Sequence, residues 1–173
     1  MSDVIDRGRA AGETDSMRAT REAVIASSPP PQFFKLRAPV LADGRSNQTV
    51  AETDNMYVNL KVYASGGENG LHNHSDEDHF HLVMSGRACF YGPRGEERHL
   101  GPYEGIMIPV GCFYRFHAVG DEPLVLLRVA AHVGPRADHG RYNVYGEPLP
   151  SESKENGHKN PVVIDGVFWG AKA

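Results

Sequence analysis

The chain has 173 residues, 40% hydrophobic and 23% charged, with a net charge of -4 at neutral pH. That length supports one ordinary domain with its own core and leaves no room for a second of similar size. The mildly acidic balance excludes nucleic-acid binding by phosphate neutralisation and adhesion to anionic membranes, and no apolar run nears the roughly 20 residues that span a bilayer.

Residues 1–31 read as a mobile or helical extension. The stretch 1–12 carries little hydrophobic payload and no apolar signal core, so it is expected to be mobile and the protein cytoplasmic. TDSMRATREAVIA over 14–26 predicts a short helix capped by Thr14 or Asp15, with Met17, Val24 and Ile25 as its apolar members. Pro29, Pro30 and Pro31 end it, because proline lacks the amide donor and restricts the residue before it.

From 32 to 134 the text turns into short β-branched and aromatic runs separated by Gly, Pro, Asn or Asp. It predicts strands near 33–37, 47–52, 56–64, 78–84, 87–92, 97–100, 105–108, 113–118 and 124–133. In MYVNLKVYA, Met56, Val58, Leu60 and Val62 share one face and Tyr57, Asn59, Lys61 and Tyr63 the other. No helical period interrupts these runs, so the expected class is an all-β barrel or sandwich. Residues 135–173 form a polar tail that ends in VVIDGVFWG, where the aromatic Trp169 is expected to pack on the barrel or on a partner subunit.

Four of the nine histidines fall between residues 72 and 81. In a strand, His72 and His74 project to the same side about 7 Å apart, so both imidazoles can reach one ion. Ser75 to Asp78 can turn the chain and bring His79 opposite them. Three neutral imidazoles on one side of an ion leave other positions open for water, oxygen or substrate, which favours chemistry over a structural staple. His81 shares the parity of His79 and lies one layer deeper, as a pocket residue. Cys89 and Cys112 form no CxxC and read as reduced core thiols.

The segment from Gly66 to Gly86 resembles the first motif of the cupin superfamily, G-x5-HxH-x(3,4)-E-x6-G. His72 and His74 match, and His79 stands at the glutamate position. The segment from Tyr103 to Ala118 resembles the second motif, G-x5-PxG-xx-H-xxx-N. Pro109 and Gly111 match; Tyr103 stands at its first glycine, Tyr114 at its histidine and Ala118 at its asparagine. The resemblance spans about residues 50–133 and implies a double-stranded β-helix (jelly-roll) barrel, a homodimer and a divalent metal ion. The implied ligand set is His72, His74, His79 and Tyr114, with Tyr114 either ligating or hydrogen-bonding from behind. His117 would need a β-bulge to compete with it.

On PLVLLRVAAHV, Arg128 shares a face with Leu124, Leu126, Ala130 and His132. An inward Arg128 would clamp a substrate carboxylate, and an outward one is an ordinary solvated arginine. Asp76, Glu77 and Asp78 read as a charged turn, one of which can orient a ligand imidazole. His99, His139 and His158 lie near turns or in the tail and are given no role. There is no GxSxG elbow, P-loop or GxGxxG.

The expected function is a metal-dependent small-molecule enzyme, foremost an Fe(II) dioxygenase acting on a carboxylate, enolate or aromatic diol, with Tyr114 and Arg128 as catalytic side chains. The same residues would serve a Zn, Ni or Mn lyase, isomerase or hydrolase. A non-catalytic cupin that binds a small ligand is the alternative from another class.

Overall fold

The computed structural model describes residues 12–172, so the expectation for the first eleven lies outside the described residues. The chain divides into two units, Met1–Gln32 and Phe33–Ala173. In the first, helix α1 (Asp15–Ser27) is capped by Thr14, whose side chain accepts from the Met17 amide. The helix stops at Ser28, just ahead of the prolines, and buries none of its residues. Among the described residues, no helix is long and apolar enough to cross a membrane.

The second unit is a β-barrel of two facing sheets. The first sheet has the order β2 (Arg45–Glu52), β3 (Met56–Tyr63), β10 (Leu124–His132), β5 (Glu77–Ser85) and β8 (Gly105–Ile108). The second runs β11 (Arg141–Asn143), β4 (Gly67–His74), β9 (Tyr114–Ala118), β6 (Ala88–Tyr91) and β7 (Glu97–Leu100). A separate ribbon pairs β1 (Arg37–Asp43) with β12 (Val162–Gly170). All pairings are antiparallel.

Side chains from both sheets meet between them. Val83, Leu124 and Leu126 of one pack with Phe90 and Phe116 of the other. A second cluster lies on the outer face of β3 and β10, where Leu60, Val62 and Val125 are covered by Ala38 and Leu41 of the ribbon, with Trp169 packed alongside.

Three strands were not among those expected, and the one expected at 33–37 forms later, at 37–43. β4, GENGLHNH, has no β-branched residue. Its extended state comes from pairing on both sides, with β9 and β11, rather than from intrinsic preference. It also carries a bulge. From Glu68 to His72 it spends four steps where β9 needs only two, from Phe116 to Tyr114. At its start, a Cβ on Gly67 would collide with the Phe116 carbonyl oxygen, so only glycine permits this approach. Tyr103 holds φ at +69°, a left-handed conformation that favours glycine, while its side chain is 82% exposed.

Candidate metal centre

Strand alternation decides which side chains enter the barrel. Along β5, Glu77, His79, His81 and Val83 are buried while Asp78, Phe80 and Leu82 are less so. From β3, Asn59, Lys61 and Tyr63 enter on the face opposite Leu60 and Val62. Arg128 of β10 lies between His81 and Asn59 in register and is buried, so the inward orientation holds and the solvated reading does not. Tyr114 of β9 pairs with His72 of β4.

These strands bring the four candidate ligands together. Ring centroids are 5.3 Å apart for His72 and His74, 4.0 Å for His74 and His79, and 4.5 Å for His72 and Tyr114. Glu77 joins them. One ligand atom each from His74, Glu77 and His79 lies within 4.8 Å of the others. Glu77 Oε2 is 2.9 Å from His79 Nε2 and 3.6 Å from His74 Nδ1. Arg128 Nη2 donates to Glu77 Oε2 at 3.1 Å and to the Tyr57 hydroxyl at 3.0 Å, and stands 2.6 Å from His79 Nε2. A positive group is thus what this set of acceptors collects.

The other ring nitrogens are held. His79 Nδ1 is 3.3 Å from the Tyr114 hydroxyl, which fixes the ring with Nε2 facing Glu77 and Arg128. His72 Nδ1 donates to the Gly70 carbonyl at 2.8 Å, and its buried Nε2 has no hydrogen-bond partner. Neither nitrogen of buried His81 has one either.

Burial sets the protonation states. It drives His72 down to about 3 and His79 down to about 4, the latter against the opposing pull of Glu77. It pushes His74 and His81 well below the ordinary imidazole value. All four are therefore neutral near pH 7 and carry a free lone pair, as metal ligation requires. Burial alone would raise Glu77, but its contacts with His79, Arg128 and Tyr57 hold it at about 2. Two imidazoles, a carboxylate and unshared imidazole lone pairs nearby form a donor set that suits a divalent transition metal.

A second buried network lies beside the first. Glu68 accepts from Lys61 at 2.7 Å, from the Tyr63 hydroxyl at 3.0 Å and from Arg141 at 3.3 Å. Burial would raise its carboxyl, but Lys61 and Arg141 keep it well below the usual range. A cavity of about 410 Å³ opens onto both networks, lined by His74, Glu77, Arg128, Lys61, Glu68 and Arg141 among others. Four cations and four carboxylates line it, and Lys61, Arg128 and Arg141 gather on the side of the two networks. Tyr114 also borders a separate, more apolar cavity of about 520 Å³ whose lining includes Phe90, Met107 and Phe113.

The other expectations sort cleanly. Asp76 lies in the turn and Asp78 on β5, accepting from the amides of Ala137 and Val110, whereas Glu77 belongs to the site. His132 Nδ1 lies 3.5 Å from Glu77 Oε1. His117 is placed outside the set, its neighbour Phe116 being fully buried in the core. Cys89 is buried but Cys112 is exposed, so only one of the two is a buried thiol.

Residues 59–130 match the family described as the cupin domain. A sugar phosphate isomerase from a cupin superfamily, from Silicibacter pomeroyi, superposes with a TM-score of 0.51 at 20% identity, over 71% of this chain and 98% of that one. A Ralstonia eutropha protein provisionally named as a mannose-6-phosphate isomerase gives 0.50 at 23% identity, over 56% of this chain and 92% of that one. No curated protein matches the sequence. At these identities the structural likeness concerns the fold. The barrel, matched from β3 to β10 through every imidazole-bearing strand of the centre, is thus a domain of the cupin type.

Proposed function

We propose that this cupin is a metal-dependent enzyme acting on a small anionic molecule, with Fe(II) as the ion and dioxygenation as the reaction. The observation that carries the reading is the convergence of His74, Glu77 and His79 within 4.8 Å, with His74 and Glu77 on the wall of a cavity that Lys61, Arg128 and Arg141 also line. Two histidines and one carboxylate are the donor set of non-haem Fe(II) oxygenases, and the ion supplies oxygen activation when bound. His72, whose Nε2 has no hydrogen-bond partner and lies 3.5 Å from Glu68 Oε2, is the further donor.

The chain's own residues do the rest. Tyr114 orients His79 through Nδ1. Arg128, Lys61 and Arg141 draw a carboxylate or enolate into the cavity and hold it against the donor set, which brings the reacting groups into proximity. Tyr57, bonded to both Glu77 and Arg128, fixes the carboxylate that the ion would share. The test is anaerobic purification with metal analysis, followed by oxygen uptake with 1,3-diketones, aromatic diols and hydroxy acids. Stoichiometric iron and substrate-dependent uptake, both lost in His74→Ala, are expected. Tight ligand binding with no turnover under any metal would reduce the protein to a binding module.

One observation favours a second reading. Burial lowers Lys61 to about 8 against the pull of Glu68, which places on the cavity wall an amine that gives up its proton more readily than an ordinary lysine. With Zn, Ni or Mn as Lewis acid, Lys61 would then serve as the base of a lyase or isomerase. Solvent deuterium entering recovered substrate without oxygen uptake would select it.

A further inference from the structure

The outer face of the second sheet carries another cluster of metal-binding side chains. The β6–β7 register pairs Cys89 with His99 and Tyr91 with Glu97. Phe90 stacks inward on Phe116 at a centroid distance of 5.0 Å. Its neighbours on the strand therefore point outward, and Cys89, Glu97 and His99 share a face that the cupin centre does not. One ligand atom from each of the three lies within 4.8 Å of the others.

The detailed contacts separate two explanations. A nucleophile–base–carboxylate relay needs the thiol and the carboxylate at opposite nitrogens of the imidazole. Here both meet the same one: His99 Nε2 is 3.7 Å from Cys89 Sγ and 3.0 Å from Glu97 Oε1. Atoms gathered around one point are arranged as ligands are, not as a relay. Cys89 is also 0% exposed, which bars a substrate from the sulfur. The side chains of His99 and Glu97 are about half exposed, so a small ion can enter between them. Across the other edge of β6, Cys89 pairs with His117, whose Nε2 is buried and has no hydrogen-bond partner.

We propose that Cys89, Glu97 and His99 form a second metal site, independent of the cupin centre and suited to a borderline-soft divalent ion of the Zn(II) class. Thiolate, imidazole and carboxylate are all zinc ligands, and three of them leave one position of a tetrahedron open. Binding converts the Cys89 thiol to a metal-bound thiolate and passes its proton to solvent, with no change of oxidation state. Affinity therefore rises with pH. The site clips β6 to β7, at the edge of the sheet and next to the apolar cavity that Tyr91 and Glu97 also line.

Cobalt(II) added to the full chain tests this, because the donor set of the cupin centre contains no sulfur. A thiolate-to-cobalt charge-transfer band in the near ultraviolet is expected, saturating at one equivalent beyond any bound at the cupin centre. It should vanish in Cys89→Ser and persist in both Cys112→Ser and His74→Ala. His99→Ala, at an exposed position, should weaken cobalt binding by at least about tenfold. No band at saturating cobalt, a band that survives Cys89→Ser, or an unchanged titration in His99→Ala would each overturn the site. Because His74→Ala dismantles only the cupin centre, failure of that reading and failure of this one give different spectra.

Discussion

The two ends of the barrel interior are built on the same strands with opposite materials. β5 runs from Glu77, His79 and His81 to Val83, β10 from Arg128 to Leu126 and Leu124, and β9 from Tyr114 to Phe116. At the hydrocarbon end, each fully buried large side chain contributes about 1.5–3 kcal/mol. At the other end, two buried carboxylates, three cations and several imidazoles have lost their water, and such groups at best break even against apolar packing. The difference teaches that one end holds the fold and the other is held by it. A centre with this many desolvated groups exists because a separate hydrocarbon layer stabilises the shared strands.

Acid should expose that division most strongly. Burial keeps His72 at about 3 and His79 at about 4, against 6.5 for an ordinary imidazole. Stability is then complete above pH 6.5 and is lost as the pH falls toward those values, because the unfolded chain takes up protons the folded one refuses. Each group raises the unfolding constant by up to about tenfold per pH unit in this window. Urea titrations of the metal-stripped protein from pH 7 to 4 measure the slope, and His79→Gln should flatten it. A flat profile in the parent would mean that the polar end is not truly dry.

Next in size is Phe116→Ala, which should cost about 3–5 kcal/mol in urea unfolding and leave metal affinity unchanged. A coupled loss of affinity would erase the distinction between the ends. The opposite sign is expected for His81→Leu. His81 is buried among Phe90, Phe116 and Tyr114 with neither nitrogen satisfied, so its removal should stabilise the chain by about 1–3 kcal/mol. The smallest effect lies away from both ends. Tyr103→Gly relieves a left-handed φ of +69° and should raise stability by about 1 kcal/mol in the same assay.

The sequence revealed what local alternation can reveal. MYVNLKVYA and EDHFHLVMS announce their faces residue by residue, and the HxH pair with a third imidazole on the next strand located the centre. Glu77 escaped because motif spacing set His79 in the glutamate position and because β5 was expected to begin at 78. Parity alone would have found it, since residues 77, 79 and 81 share a face. Arg128 could not be oriented from its own strand: what turns it inward is Glu77, which lies 51 residues away. The network of Glu68, Arg141 and Asn156 was illegible for the same reason, being assembled from distant loops and strands with no periodic trace. β4 was legible only at its His72–His74 end, because its residues have little strand preference of their own.

That strand also decides how the centre tolerates change in length. Because side chains alternate at every step, the two surplus residues between Glu68 and His72 keep both anchors pointing the same way. Deleting one residue from 69–71 would swing His72 and His74 out to the opposite surface while Glu68 stayed with Lys61, and every imidazole would be present yet useless. Deleting two would restore the phase. The spacing of this loop-like kink, as much as the identity of the histidines, is therefore what makes the centre possible.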